Sequence, residues 1–377
     1  MSGSHEPLDA SADLRVCVVG PLPPPSGGMA NQCEQLLRLM GQERGIAMAL
    51  VRSNAPYRPG WIAGLPFVRA FARLLPFLRQ LWVEAGRADV LHVFANSGWA
   101  WHLVAWPALV IGRWRGAGVI VNYRGGLADA FFSAAPRHVL RALARADLRV
   151  TPSAYLLRVF AKHGLAAQVI PNIVDLSRFT FRPVRACGDA PHLIVTRNLE
   201  AIYDIPTALR AFRRVREVFP QATLTVAGSG PELPALQRLV GDWGLQACVS
   251  FPGRIDNAAI PALYGRADCM LNPSTVDNMP ISILEAMACG VTLVSTDAGG
   301  IPDLVDDCRT GCLVPVGDDR AMAERAIALL RDADRRRAMC EAARRHVDAF
   351  AWPRVRDQWR AAYRQVARAG ARVPEAA

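Results

Sequence analysis

Apolar positions along the chain fall into short, nearly unbroken runs, separated by longer segments where they recur every three or four residues. "LRVCVVG" (14–20) is the first run and reads as a strand buried on both faces. It ends in the loop "PLPPPSGG", after which "MANQCEQLLRLM" takes up helical spacing. "DVLHVFA", "GVIVNY", "DLRVTPS" and "QVIPNIV" continue the β-rich series, with helical segments between them. "FRPVRACGDAPH" (181–192), rich in Pro, Gly and charge, interrupts the pattern and reads as an interdomain linker. The alternation resumes with "LIVTRN", the helix "IPTALRAFRRVREVF", the strand "ATLTVAGSG", the helix "PELPALQRLVGDWG", and the strands "VSFPG", "ADCMLNPS" and "VTLVSTDAG". Such alternation predicts an α/β protein with two doubly wound parallel sheets, one in each half. In the tail "FAWPRVRDQWRAAYRQVARAG" (350–370), Pro353 suits a first helical turn, and Val355, Trp359 and Tyr363 recur at helical spacing. That helix must pack on something, and a return to the first domain would satisfy it.

A length of 377 residues suits two domains, and 51% hydrophobic with 20% charged residues suits two buried cores. The net charge of +11 points to acidic partners, or to a bias of composition. Lys162 is the sole lysine, and the arginines are spread without a basic block, so no nucleic-acid partner is expected. Nine cysteines lie scattered; Cys308 and Cys312 are close, but no further His or Cys pair completes a zinc site. Free, mostly buried thiols and a cytoplasmic location are expected, and the polar first fourteen residues do not read as a signal peptide.

Two stretches raise the question of a membrane. "WAWHLVAWPALVIGRWRGAGVIV" (99–121) is broken by His102, Pro107, Arg113 and Arg115, and its uninterrupted part is too short for a span. It reads as a buried helix followed by a strand. "GWIAGLPFVRAFARLLPFLRQLWVEAGR" (60–87) sets Arg69, Arg73 and Arg79 among Phe, Leu and Trp. This is a basic amphipathic pattern suited to an anionic bilayer, or a surface helix packing its apolar side on the domain.

Open parallel sheets bind ligands outside the carboxyl ends of their strands, so the loops after strands carry the candidate chemistry. In "SGGMANQ", Gly27 and Gly28 permit close backbone approach, and the following helix offers free N–H groups to an anion; a plain tight turn is the alternative. "NYRGG" (122–126) sets Arg124 beside two glycines at a strand end, as a phosphate or acceptor ligand or as a surface arginine in a turn. "VTRNLEAIYDIP" (195–206) places Arg197 after the first strand of the second half. "AGSG" and "PGR" give glycine turns with room for a base or sugar near Arg254. In "STVDNMPISILEAMACG" (274–290), Asp277 precedes a helix that Pro280 opens, and Glu285 follows inside it. The helix amides can meet a diphosphate or sugar hydroxyls, and a carboxylate there can accept both hydroxyls of a ribose diol. The alternatives are Asp277 as a helix cap and Glu285 as a helix-dipole partner.

"NPSTVDNMPISILEAMACGVTLVSTDAGGIPDLV" resembles the donor region of the GT-B glycosyltransferases of family 4, in which an acidic residue, seven others and a glutamate precede "LEAMA.G.PV" and a "GG.P..V" turn. "VIPNIVDLSRF", "AGSGPELPALQRL", "VSFPGRIDNAAIPALYGRADCMLNPS" and the first "SGG" match further parts of the pattern. The resemblance covers roughly residues 14 to 366 and is stronger in the second half. It implies two Rossmann-like domains facing across a cleft: an acceptor domain at 1–183, a donor domain at 184–350, and a helix at 351–377 crossing back to the first. It also implies that Glu285 holds the nucleotide ribose, while Asp277 and the backbone of Asn278, Met279, Pro280 and Ile281 surround the donor sugar. Gly27, Gly28 and Arg197 would face the diphosphate, and Arg254 the base. Asp277 and Arg124 are the candidate catalytic residues.

The activity so implied is retaining, metal-independent transfer from a UDP- or GDP-sugar, with no cofactor. The acceptor would be a glycan or lipid-linked precursor, met by a peripheral protein at an anionic membrane surface. Three departures stand out. Asp277 replaces the usual glutamate. Tyr203 stands near the position of a phosphate-clamping lysine. Arg124 stands where histidine is frequent, so no general base is assigned there. A degenerate nucleotide-binding scaffold and a sugar-nucleotide epimerase are the rival readings.

Overall fold

The computed structural model describes residues 13–24, 27–56, 66–184 and 187–370, the side chains of 66–72 and 368–370 excepted. The opening residues 1–12, the stretch 60–65 and the side chain of Arg69 therefore lie outside the described residues. Contacts divide the chain into two units, 1–173 with 353–377, and 174–352. The division falls at 173/174, ten residues before the expected boundary at 183/184. Val174, Leu176 and Phe179 are apolar and pack into the core of the second unit, which draws this segment to it. The Val174 amide donates to the Phe350 carbonyl at 3.0 Å, so the two places where the chain changes unit adjoin.

The first unit is built on six parallel strands in the order β2-β1-β3-β4-β5-β6. They are β1 (Leu14–Gly20), β2 (Ile46–Arg52), β3 (Val90–Ala95), β4 (Gly118–Tyr123), β5 (Leu148–Thr151) and β6 (Gln168–Val169). The central strands β3 and β4 are buried along their whole length, including the two polar residues that interrupt their apolar runs, His92 and Asn122. Helices α1 (Gly28–Met40), α2 (Pro66–Ala85), α3 (Trp106–Trp114), α4 (Ala128–Ala134), α5 (Arg137–Ala144) and α6 (Ala154–Lys162) connect them. The terminal helix, α13 (Trp352–Gly370), belongs almost entirely to this unit. Val355, Trp359, Tyr363 and Val366 are buried, and a Cβ at Gly118 would lie 2.5 Å from Val366 Cγ1, so only glycine lets β4 take the helix there.

The second unit repeats the plan as β12-β11-β10-β7-β8-β9, again wholly parallel. Its strands are β7 (His192–Thr196), β8 (Thr223–Ala227), β9 (Val249–Gly253), β10 (Cys269–Asn272), β11 (Thr292–Thr296) and β12 (Cys312–Val314). Its helices are α7 (Ile205–Val218), α8 (Leu233–Asp242), α9 (Ile260–Tyr264), α10 (Ile281–Cys289), α11 (Asp319–Arg331) and α12 (Ala333–Val347). Two strands are not among those named from the sequence, β2 and β12. Both are sheet edges; β2 is only half-buried and β12 has three residues, so burial imposes little pattern on either.

The stretch 99–114 departs from the buried helix expected of it. A π-helical turn (Trp101–Ala105) runs into α3, and Trp101, Ala105, Ala108, Leu109 and Gly112 face the core. Trp99, Leu103, Trp106 and Trp114 lie exposed on the other side. No helix among the described residues is long and apolar enough to cross a membrane.

Candidate functional site

In the second unit the chain leaves β7 toward β8 and β9, then returns across the sheet to place β10 on the other side of β7. The loops after β7 and β10 therefore diverge at their strand ends and leave a crevice between them. Arg197 follows β7 and Asp277 lies in the loop after β10. Their side chains meet as an ion pair, Arg197 Nη2 to Asp277 Oδ2 at 2.8 Å. Arg197 Nε donates to Asn272 Oδ1 at 2.7 Å, and its guanidinium lies 5.3 Å over the Tyr203 ring. Asn272 is fully buried and is fixed in turn, donating to Ser295 Oγ at 2.8 Å and accepting from Ser274 Oγ at 3.1 Å. Arg197 is thus held in one orientation from three sides.

Glycines set the paths of both loops. A Cβ at Gly228 would come within 1.9 Å of the Arg197 carbonyl oxygen, and one at Gly230 within 2.2 Å of that of Leu199. A Cβ at Gly300 would reach within 2.0 Å of the Asn278 carbonyl oxygen, and the Gly300 amide donates to the Asp277 carbonyl at 2.8 Å. The "AGSG" and "GG" turns are thus places where one loop lies directly on the backbone of another. The loops are also tied to each other, since both the amide and the hydroxyl of Thr275 donate to the Ile202 carbonyl at 2.9 Å.

α10 opens on this crevice without a side-chain cap. Pro280 occupies the capping position and Ile281 the first helical one, a residue later than the sequence pattern suggests. Asp277 does not cap the helix; its carboxylate belongs to Arg197. No side chain caps the first amides of α10; that of Ile283 donates to the Pro280 carbonyl at 3.2 Å, and the helix end carries partial positive charge. Asn278, Met279 and Pro280 are buried in the turn that sets this end, and Ile281 is half-buried.

Glu285 stands on the second turn of α10. It accepts from Tyr264 Oη at 3.3 Å, and the same hydroxyl lies 3.2 Å from the Ser282 carbonyl and 3.0 Å from Thr196 Oγ1. Tyr264 has one proton to share between Glu285 and Ser282, so the Thr196 hydroxyl serves as donor to it. The Glu285 carboxyl is pushed up from its ordinary 4.5 to about 7 by burial, with Tyr264, Arg178 and Arg197 opposing. Tyr264, Asn272 and Thr196 were not singled out from the sequence; a lone tyrosine in "LYGRAD" carries no spacing that ties it to a glutamate 21 residues on. Arg254 is not brought into this cluster: it is exposed after the edge strand β9, two strands from β7.

The first unit carries the other candidates. Gly27 and Gly28 open α1 after β1, where Gly27 takes the capping position in extended backbone without a side-chain cap. Arg124 follows β4 and is half-buried over the Phe94 ring at 5.4 Å, its pKa drawn down to about 10 chiefly by burial. Its Nη1 donates to Asn122 Oδ1 at 3.3 Å. Asn122 Nδ2 lies 3.0 Å from His92 Nε2, and His92 Nδ1 lies 2.8 Å from Tyr363 Oη. An amide nitrogen can only donate, so Nε2 accepts and the ring proton sits on Nδ1, directed at Tyr363. Burial, with Arg124 adding to it, drives the His92 pKa down to about 3 and keeps the ring neutral. A buried polar chain thus runs from α13 to Arg124, and no sequence motif announced it.

All nine cysteines are free. Among the described residues, Asp307, Cys308 and Cys312 are the one group whose ligand atoms approach within 4.8 Å of one another, and they lie by the edge strand β12.

Two family models match in succession, Glycosyltransferase Family 4 over residues 26–178 and Glycosyl transferases group 1 over 178–346. The chain belongs to the group 1 glycosyltransferases. Within this family it is 33% identical over 161 residues to the putative colanic acid biosynthesis glycosyltransferase WcaL of Escherichia coli K12, covering 41% of this chain and 40% of that protein. It is 35% identical over 178 residues to N-acetyl-alpha-D-glucosaminyl L-malate synthase of Bacillus anthracis, covering 47% and 46%. The matches span less than half the length of these curated relatives. The fold is GT-B, the fold of Anabaena Alr3699/HepE solved with UDP and glucose (TM-score 0.70, 17% identity, 93% of this chain and 99% of that one). Sucrose-phosphate synthase of Thermosynechococcus elongatus is similar to the same degree (TM-score 0.72, 19% identity, 94% and 100%).

Proposed function

We propose that this family member is a retaining, metal-independent glycosyltransferase that moves a sugar from a UDP- or GDP-sugar to a glycan or lipid-linked acceptor. The observation that carries the reading is the braced Arg197 beside the uncapped start of α10, at the point where the strand order of its sheet reverses. The diphosphate meets Arg197 and the α10 amides, and these stabilise the negative charge that grows on it as the glycosidic bond breaks. Glu285 accepts hydrogen bonds from the ribose hydroxyls, and Asp277 and the turn through Ile281 surround the sugar. Gly27 and Gly28 leave room for close backbone approach to the diphosphate, and Arg124 serves the acceptor. An anionic membrane on the cytoplasmic side is where a lipid-linked acceptor would be met.

One observation favours a scaffold that binds nucleotide without turnover. The sole lysine, Lys162, is paired with Asp129 at 2.8 Å in the first unit, and Arg197 is already neutralised by Asp277. The deciding experiment is a thermal-shift screen with UDP, GDP, ADP and their sugars in the presence of a metal chelator, followed by NMR of the anomeric proton in any product. Stabilisation by one nucleotide family, then a product with the donor's anomeric configuration, supports the proposal. Stabilisation without product over a broad acceptor panel supports the scaffold, and inversion would sink the retaining mechanism.

A further inference from the structure

The outer face of the first unit carries exposed aromatic side chains that its fold does not need. Along the helical stretch 99–114 the solvent side is formed by Trp99, Leu103, Trp106 and Trp114, positions separated by about one or two helical turns. Trp99 is 78% exposed and Trp114 74%. The opposite side is so close to the sheet that a Cβ at Gly112 would lie 2.8 Å from both Leu91 and Val119, so the stripe cannot turn inward. α2 packs beside α3 and adds exposed Leu75, Trp82 and Val83. Arg115 bridges the two helices, its guanidinium 5.0 Å over the Trp82 ring; Arg79 is exposed beside them, and Arg113, also exposed, turns to Asp147 at 3.4 Å and to the Arg145 carbonyl at 2.8 Å.

Tryptophans interleaved with arginines have a chemistry of their own. The indole is apolar in body and polar at its N–H, and so settles at the boundary between acyl chains and headgroups. Arginine at the same level pairs with anionic headgroup phosphates. A second copy of this chain would bring the same arginines face to face. We infer that the face formed by α2 and the 99–114 helix is a membrane-docking surface for anionic phospholipid, with the four exposed tryptophans as its interfacial anchors. This deepens the membrane part of the function proposed above and assigns it chiefly to α3, where the sequence pattern had pointed to 60–87.

The test is flotation of the purified full chain with vesicles of phosphatidylglycerol and phosphatidylcholine, and of phosphatidylcholine alone, while tryptophan emission is followed. Binding to the anionic vesicles with a blue shift, weakened by high salt, is expected. The double variant Trp106→Ser, Trp114→Ser should lower the partition by about tenfold or more. Arg79→Gln should lower it less and flatten the salt dependence. Nucleotide-induced thermal shifts should be the same in all three proteins, which separates loss of docking from loss of the donor site. Absence of vesicle binding with an intact nucleotide shift overturns the docking surface and leaves the transferase reading standing. Equal binding by the double variant also overturns it, as does a dimer in solution that the double variant dissolves.

Discussion

The two units share a strand order and differ in what they do with their surfaces. In the second, the loops at the strand ends are locked: Gly228 and Gly230 lie on the backbone of Arg197 and Leu199, Gly300 lies on that of Asn278, and Arg197 is gripped by Asp277 and Asn272. Its exposed large apolar side chains, among the described residues, are Ile202 and Val316 alone. In the first, eight such side chains are exposed, and the loop after β1 is held by side chains from a neighbouring strand end rather than by interlocked backbone. There Arg52 Nη2 donates to the Pro23 carbonyl at 3.0 Å and Asn54 Nδ2 to that of Leu22 at 2.7 Å. The contrast suits the proposed division of labour, donor in the second unit and acceptor in the first. A ligand with fixed shape, such as a nucleoside diphosphate, rewards a preorganised site, whereas acceptor and lipid contacts rest on surface chemistry that varies without disturbing a core.

The largest effect should come from breaking the interlock. Gly300→Ala places a Cβ against the Asn278 carbonyl, and is expected to abolish nucleotide-induced stabilisation and to cost about 3 kcal/mol in denaturant unfolding. If the variant binds nucleotide as the parent does, the loops do not form a rigid frame. Arg197→Ala comes next, with a fall in nucleotide affinity of about a hundredfold by calorimetry, from the loss of a charge-assisted contact in a desolvated crevice.

Glu285 sharpens the comparison through pH. With the carboxyl near 7 in the folded protein, acidification through that value protonates it and removes an acceptor for the ribose diol, so donor affinity should fall between pH 8 and about pH 6. Glu285→Gln should bind about tenfold more weakly at pH 8 and show no such slope. Stability should move the other way. The folded state holds this proton more tightly than the unfolded chain, so the contribution of Glu285 improves as pH falls from about 7 toward 4.5 and is worst above 7. Glu285→Gln is therefore expected to be as stable as the parent at pH 8 or more so, by up to about 1 kcal/mol in denaturant unfolding after allowance for its partial exposure. A clear loss of stability there would return Glu285 to a purely structural role.

The smallest change tests the first unit. Tyr363→Phe removes the acceptor for the His92 ring proton and should cost about 1–2 kcal/mol of stability while leaving nucleotide affinity untouched. Arg124→Gln should likewise spare nucleotide binding, and lower transfer alone. A matching loss of nucleotide affinity in either would mean that the units do not divide the work in this way.

How far the site was legible follows from how each residue is constrained. Asp277 and Glu285 were readable as candidates because a loop, a proline and a helix start after a strand form a local pattern within 17 residues; that Asp277 leaves the helix uncapped was not. The partner of Asp277 was not readable. Arg197 lies 80 residues earlier, and only the reversal of strand order between β7 and β10 sets the two loops side by side. Arg254 sat in an equally suggestive loop, yet its strand took the sheet edge. The exposed tryptophans of α3 were misjudged for a related reason: an apolar run predicts burial, but a helix lying on a sheet has only one side to bury.

By itself, then, the sequence determined what local chemistry and periodicity can carry: two α/β halves, parallel strands buried on both faces, a family motif around Glu285, and a terminal helix with one apolar stripe. Tertiary structure decided which loops meet, which carboxylate holds which arginine, that Tyr264 sits against Glu285, and that α13 sends a hydrogen-bond chain through His92 and Asn122 to Arg124. The physical reason is the nature of a parallel sheet. Neighbouring strands are joined by long crossovers, so residues that touch at the strand ends are far apart in the chain, and no spacing along it records their contact.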